Sequence, residues 1–252
     1  MIKILLSGCN GTMGKVIAKC IEEREDCTIV AGLDVNTAPN GVFPVFGNAE
    51  DINVDCDVII DFSHPSALSG VLKYALKTKT PAVIATTGLS EEQINSLQLA
   101  SSQIPVFFSA NMSIGVSLVS ELVKKAASVL GGSFDIEIVE AHHNKKIDAP
   151  SGTALMLADS VSKGLEYKPV YEYNRHAKRE KRTKNEIGIH AIRGGTIVGE
   201  HEVIFAGNDE IITVSHSARS KSIFATGSIN AAIFISSKTP GMYSMKELVA
   251  ES

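Results

Sequence analysis

The chain has 252 residues, 44% of them hydrophobic and 21% charged, with a formal net charge of -4. That is enough for one large or two modest cores, but the acidic balance excludes a general attraction to nucleic acid or to an anionic membrane. No apolar run reaches the length of a membrane span and no basic-apolar-small leader opens the chain, so a cytoplasmic protein is expected. Cys9, Cys20, Cys27 and Cys56 all lie in the first quarter without a CxxC pair, which supports neither a disulfide framework nor a zinc site, and no metal is expected.

Ile2 to Leu6 reads as a buried parallel strand. The turn Gly8-Cys9-Asn10-Gly11-Thr12-Met13-Gly14 follows, then a helix over 15–25 with Val16, Ile17, Cys20 and Ile21 on one face, then a strand over 27–33 that ends at Asp34. Strand, glycine turn, helix, strand and acid in this order form a dinucleotide-binding unit. Gly8 allows the tight turn, Gly11 lets a pyrophosphate approach the backbone, and Gly14 lets the helix close on the strand. Asp34 stands where a ribose-binding carboxylate belongs. Asn10 occupies the position of the second glycine of the commoner GxGxxG, and asparagine tolerates left-handed backbone better than most residues. An arginine after the acid would grip the 2′-phosphate of NADP; Val35 stands there instead, which leans toward NADH, with Lys15 or Asn36-Thr37 as other groups that could serve a phosphate.

The alternation continues with strands expected over 57–61, 81–85 and 104–108, a helix over 66–77, and another whose capping box runs from Ser90 to Gln93. Ligands of open parallel sheets bind at the carboxyl ends of strands. Ser63, His64, Thr86, Thr87, Ala110 and Asn111 fall at such ends and form one rim facing the first glycine turn, whereas Asp61 could simply cap a neighbouring helix.

Beyond Ser113 the character changes. A long helix over 114–130 ends at Gly131-Gly132, 134–139 alternates like a strand, and 154–165 has apolar residues at helical spacing. The stretch 140–153, EAHHNKKIDAPSGT, is therefore a strand-to-helix loop. Ser151 after Pro150 is a good N-cap, and the amides of Gly152 and Thr153 open a helix start that attracts anions. A His-His or Lys-Lys pair alone is more often solvated; beside such a helix start the four describe a pocket for an acidic substrate that also needs a proton. The polar segment 167–186 holds Arg175, His176, Lys178, Arg179, Lys181, Arg182 and Lys184; it is expected to be a solvated or mobile loop rather than a nucleic-acid site, with a cation that could close over an anionic ligand. Strands over 187–193, 196–206 and 210–217 are joined by hairpin-type turns at Gly194-Gly195 and 207–209, giving with 134–139 a sheet of about four strands, partly antiparallel. A helix over 222–236 packs back on the first domain, and a short tail follows. The expected architecture is α/β: an N-terminal Rossmann-type doubly wound parallel sheet, residues 1–112 and 221–252, that binds dinucleotide, with an inserted α+β mixed-sheet domain, 113–220, for substrate binding and oligomerisation. The cleft between them is the expected place of reaction.

The string EAHHNKKIDAPSGTA, 140–154, matches the EAHHxxKxDAPSGTA signature of the 4-hydroxy-tetrahydrodipicolinate reductase family, also called dihydrodipicolinate reductases, of the diaminopimelate route to lysine. The chain resembles that family over essentially its whole length, also at Gly8-xx-Gly11-x-Met13-Gly14, Asp61-Phe62-Ser63 with Pro65, Thr86-Thr87-Gly88, Asn111-Met112-Ser113 and Arg193-Gly-Gly with Ile197-Val-Gly-Glu-His201. The resemblance implies NAD(P)H-dependent reduction of a small dicarboxylate, 4-hydroxy-tetrahydrodipicolinate, by a homotetramer joined through the sheet domain. It implies His142 and Lys146 as catalytic proton donors, and His143, Gly152 and Thr153 as substrate contacts. Cofactor contacts fall to Gly8, Cys9, Asn10, Gly11, Thr12, Met13, Asp34, Ala85, Thr86, Thr87, Ser109, Ala110, Asn111 and Met112. Many members carry arginine after the ribose acid and some carry it at the position of His64; both are departures here, which leaves NADH or NADPH open with a lean to NADH. The rivals are another two-domain NAD(P) reductase for a different acidic imine or aldehyde, and a dinucleotide-binding regulator without chemistry, supported only by the 175–184 segment.

Overall fold

The computed structural model describes residues 1–39 and 42–251. They divide into two compact units, Met1–Ile114 with the chain from Lys221 onward, and Gly115–Ser220. The first unit begins β1 (Ile2–Ser7), α1 (Thr12–Glu22), β2 (Cys27–Leu33), β3 (Val45–Phe46), β4 (Val58–Asp61), α2 (Leu68–Thr78), β5 (Ala82–Ile84), α3 (Glu91–Ser101) and β6 (Pro105–Phe108). Then come α4 (Ile114–Leu130), β7 (Asp135–His142), α5 (Gly152–Gly164), β8 (Val170–Glu172), β9 (Glu186–Arg193), β10 (Gly199–Ala206) and β11 (Ile211–Ala218). The chain returns to the first unit with α6 (Ser222–Ile235), β12 (Gly241–Tyr243) and α7 (Met245–Ala250).

The first sheet has the order β12-β6-β5-β4-β1-β2-β3, and every pairing is parallel. Alternation along each strand sorts its residues to two cores. Ile4, Leu6, Val58, Ile60, Val83 and Phe107 face one side, where Ile17 of α1 and Ala225 and Ile229 of α6 meet them. Leu5, Ile59, Ala82, Ile84 and Val106 face the other, against Leu68, Val71 and Leu72 of α2 and Leu97 of α3. Burial on both faces is why these strands read as continuous apolar runs. The chain leaves β1 on one side for β2 and on the other for β4, and the crevice at such a reversal is where open α/β sheets take ligands. The expected capping box is present: Ser90 Oγ accepts the Gln93 N–H at 3.3 Å, and Gln93 Oε1 accepts the Ser90 N–H at 3.0 Å. The short β3 and β12 were not legible, since two or three residues carry no alternation; an open sheet edge recruits them.

The second sheet has five strands in the order β11-β10-β7-β9-β8. β7 pairs antiparallel with β10 and parallel with β9. One face carries Ile136, Ile138, Ile187, Ile189, Val203 and Phe205 under Val119 and Val123 of α4 and Leu157 and Val161 of α5. Two expectations change here. β9 and β10 do not form a hairpin, because β7 lies between them. The Gly194-Gly195 link instead crosses the end of β7, where the Gly194 N–H donates to His142 O at 2.9 Å and Gly195 O accepts from Asn144 N–H at 3.3 Å. The basic segment is a solvated loop only in part: His176, Arg179, Lys181 and Lys184 are exposed, while other cations are paired. It contributes β8 as an edge strand, and Arg182 is bonded to Asp135, Glu137 and the carbonyls of Ile136 and Glu186. Arg175 and Lys178 pair with Glu186, and Lys178 also with Glu172. Among the described residues no helix is long and apolar enough to cross a membrane.

Candidate active site

In the first unit the glycine turn leaves β1 through Gly8 at φ +78°. A Cβ on Gly8 would lie 2.6 Å from Phe62 O, and one on Gly14 would lie 2.2 Å from Gly8 O, so the turn excludes side chains at both positions. The Asp34 carboxylate at the end of β2 accepts the N–H groups of Asn10 and Asn36, both at 2.9 Å. Asn10 does not adopt left-handed backbone, which among the described non-glycine residues only Lys79 does. It serves through its amide, which donates to Asn36 O at 2.6 Å and Ala38 O at 2.9 Å and so ties the glycine turn to the loop after β2.

A groove of about 540 Å³ runs along this turn, lined among others by Gly8, Gly11, Asp34, Val35, Ser63 and His64. That volume suits a nucleotide, and none of the residues lining it is Lys or Arg. Val35 is 98% exposed. His64 accepts the Ser66 N–H through Nδ1 and so caps the short turn that precedes α2. Asp61 caps no helix: its buried carboxylate accepts Ser63 Oγ–H and Thr86 Oγ1–H, both at 2.6 Å, and locks two strand ends together. At the end of β6, Ser109 Oγ donates to Asn111 O and Asn111 Oδ1 accepts the Ser113 N–H. The remaining rim positions Ala85, Thr87 and Ala110 follow the parallel strands β5 and β6 along the same sheet edge, and Thr12 and Met13 open α1. Cys9 and Met112 are core side chains; burial, then the charge of Asp34, pushes the Cys9 thiol up to about 11.

In the second unit the helix-covered face of the sheet changes character toward the end of β7. Its inward positions, apolar at Ile136 and Ile138, become Glu140 and His142. Arg193 of β9 is in register with His142, His201 of β10 with Glu140, and His216 of β11 with His201. The period of two places all five on one face. Glu140 is fully buried, and Arg193 grips it with both terminal nitrogens, NH1 to Oε2 at 2.8 Å and NH2 to Oε1 at 2.7 Å. The Ser151 N–H donates to Glu140 Oε1 at 3.0 Å, and His142 Nδ1 lies 2.6 Å from Oε2. Burial alone would push the Glu140 carboxyl up; the bonds from Arg193, His142 and Ser151 outweigh it and hold the group below the usual carboxylate range. Arg193 also donates to Asp148 O at 2.6 Å, so the ends of β7 and β9 and the loop 143–151 hang on one ion pair.

Ser151 caps α5 as its sequence suggests, its Oγ accepting the Ala154 N–H, and the helix begins at Gly152. The same Oγ lies 2.9 Å from His201 Nε2. Burial, followed by repulsion from His142, pushes His201 down to about 4, so it is uncharged at neutral pH. His142 and His201 meet edge to face at 5.2 Å between ring centres. Lys146 is 21% exposed in its side chain and pairs with Asp148 at 2.8 Å. His143 and Thr153 are half-buried and Gly152 is exposed, all on the same loop and helix start. Sequence reasoning assigned no part to Glu140, Ser151's contact with His201, or Asp148. The signal for Glu140 was its spacing of two from His142 on a strand; Arg193 and His201 needed the strand order.

These two sites frame the comparisons with known proteins. Residues 2–112 match the family model "Dihydrodipicolinate reductase, N-terminus" and residues 115–249 match "Dihydrodipicolinate reductase, C-terminus". The chain belongs to the dihydrodipicolinate reductase family. It is 54% identical over 249 residues to the 4-hydroxy-tetrahydrodipicolinate reductase of Caldanaerobacter subterraneus subsp. tengcongensis, covering 99% of this chain and 98% of that one. It is 49% identical to the enzyme of the same name from Clostridium tetani, over 97% and 96% of the two chains. The fold of this family member superposes on a dipicolinate-bound dihydrodipicolinate reductase from Paenisporosarcina sp. TG-14 with a TM-score of 0.81 at 24% identity, covering 97% of each chain. GenD2 from gentamicin A biosynthesis, solved in complex with NAD, shares the fold more distantly, with a TM-score of 0.61 at 11% identity over 99% of this chain and 90% of that one.

Proposed function

We propose that this oxidoreductase reduces 4-hydroxy-tetrahydrodipicolinate to tetrahydrodipicolinate with NADH or NADPH, in the diaminopimelate route to lysine. The observation that carries the reading is the loop after β7, where an imidazole held by a buried carboxylate, an ammonium and a helix N-terminus come together within the stretch that the family model matches. A dicarboxylate that must take up a proton needs these groups.

The positive end of α5 at Gly152 and Thr153, with His143, would hold a substrate carboxylate. Reduction at the carbon bearing the departing hydroxyl, or at its dehydrated conjugated imine, pushes electron density toward the ring nitrogen. Lys146 is the candidate acid there; it must exchange Asp148 for the substrate to act. His142 donates or relays a proton. A bound nicotinamide dinucleotide supplies the hydride. Gly8 to Met13 would hold its pyrophosphate by backbone, Asp34 its ribose, and Ala85, Thr86, Thr87 and Ser109, Ala110, Asn111, Met112 the rest of its length. In this reading the first unit is the dinucleotide-binding domain and the second binds substrate.

NADH is favoured, since a 2′-phosphate beside Asp34 would meet a carboxylate and, among the groove residues, no Lys or Arg. The second unit also serves oligomerisation into a homotetramer: the face of its sheet away from α4 and α5 leaves Ile192 51% and Ile211 68% exposed. The regulator reading loses its support, because Arg175, Lys178 and Arg182 are engaged in pairs within the unit. The test is consumption of reduced cofactor by the purified protein: it should require 4-hydroxy-tetrahydrodipicolinate, and absence of turnover with both cofactors would refute the assignment. Solution mass decides the tetramer.

A further inference from the structure

We infer that Glu140, clamped by Arg193, is a positioning residue that fixes His142 as its Nδ1–H tautomer and leaves Nε2 as the nitrogen that exchanges a proton with substrate. The substrate part of this rests on the reductase reading above; the ring assignment does not.

Four groups converge on the two oxygens of Glu140, and three of them can only donate: both terminal nitrogens of Arg193 and the Ser151 N–H. An ionised carboxylate has only acceptor sites, so the fourth group, His142 Nδ1 at 2.6 Å, must also bring a hydrogen. The opposite nitrogen lies against the backbone of Gly199, where no side chain intervenes. A Cβ built on Gly199 has as its three nearest atoms His142 Nε2 at 3.1 Å, Cδ2 at 3.5 Å and Cε1 at 3.9 Å. The neighbouring ring cannot take the role of acid, because His201 is uncharged and directs Nε2 at Ser151 Oγ. Starting from imidazolium, the Nε2–H bond breaks as the proton bonds to substrate. The electron pair stays on Nε2, and Nδ1 keeps its hydrogen against Glu140. A third partner that holds the tautomer of a catalytic imidazole is a recurrent arrangement on unrelated folds. Here Glu140 additionally anchors the N-cap of α5, so one carboxylate sets both the proton donor and the anion-binding helix start.

The decisive measurement is nitrogen NMR of the ¹⁵N-histidine-labelled protein at a pH where the ring is neutral. His142 is expected as Nδ1–H; finding Nε2–H overturns the inference without any variant. Glu140→Gln turns one acceptor into a donor at nearly constant shape. The expected result is a shift of His142 toward Nε2–H and a loss in kcat of about 100-fold or more, with cofactor affinity within about twofold of the parent. A purely structural Glu140 would leave the tautomer unchanged and kcat within about threefold, which overturns the proposal. If that variant does not fold, Gly199→Ala decides: it should keep Nδ1–H yet lower kcat about tenfold or more by crowding Nε2, and an unchanged kcat counts against the assignment. Parent protein that fails to turn over 4-hydroxy-tetrahydrodipicolinate defeats the reductase reading alone, since the ring assignment is still read by NMR.

Discussion

In the first unit the functional turn depends on side chains that are missing, and in the second the site depends on side chains that are buried. Gly8 and Gly14 leave no room for a Cβ, and the groups offered along the turn are backbone amides with one carboxylate, Asp34, some twenty residues on. Glu140, His142, Arg193 and His201 come from three strands, and none has its partners within a helical turn of sequence except the Glu140–His142 pair. A backbone site is local, because a turn is set by its own φ and ψ. A buried ionic site is not, because an ion kept from water needs several partners and one strand cannot supply them. The two should therefore fail differently: the first by losing its shape, the second by losing charge complementarity.

The sharpest break should come at the loop after β7. Lys146→Ala should lower kcat by roughly 100-fold or more while leaving cofactor binding intact, as expected for lost acid catalysis; near-normal kcat in a steady-state assay would remove Lys146 from its role. In the first unit Gly14→Ala should act on structure instead. A Cβ 2.2 Å from a carbonyl oxygen forces the turn open, at a cost of about 1–3 kcal/mol and with loss of cofactor affinity; denaturant melts with and without NADH separate the two effects.

Acid should distinguish the units next. His201 titrates near 6.5 in an unfolded chain and near 4 in the folded one, burial being the main cause. Between those values the unfolded chain binds more protons, so stability is full above about 6.5 and is lost as pH falls toward 4, by on the order of 3 kcal/mol. Burial lowers His216 as well, which acts in the same direction. Glu140, held below the usual carboxylate range, adds its loss only at lower pH. Hydrogen exchange should show the second unit opening before the first across this window, and His201→Gln should flatten the trend. Equal opening of both units would show that the buried histidine does not set acid sensitivity. The smallest expected effect is on the cofactor: NADPH should give no tighter binding than NADH, and the reverse in a direct titration would mean that Val35 and the uncharged groove were misread.

Much of the fold could be read along the chain. The parallel strands of the first unit, the Ser90–Gln93 box and the Ser151 cap are local patterns whose physical meaning does not wait for tertiary contacts. Other readings failed for a stated reason. Gly194-Gly195 looks like a hairpin turn, but turn chemistry reports only that the chain bends, not which strand it will meet. Arg175, Lys178 and Arg182 look solvated because their partners, Asp135, Glu137 and Glu186, lie on strands whose order is not written locally. Asn10 looked like a backbone substitute for glycine and proved to be a side-chain tie to residues 36 and 38.

What the sequence determined by itself is whatever repeats within a few residues: the glycine turn and its acid, the alternation that buries each strand, and the motif that names His142 and Lys146. What only the tertiary structure decided is the company those residues keep. Placing β7 between β9 and β10 brings Arg193 and His201 beside Glu140 and His142, and that neighbourhood, built from residues some fifty to sixty positions apart, fixes which nitrogen of a histidine faces outward. Strand order is a property of the packed sheet, where burial of its apolar face under the helices selects among topologies that the local pattern alone leaves equal.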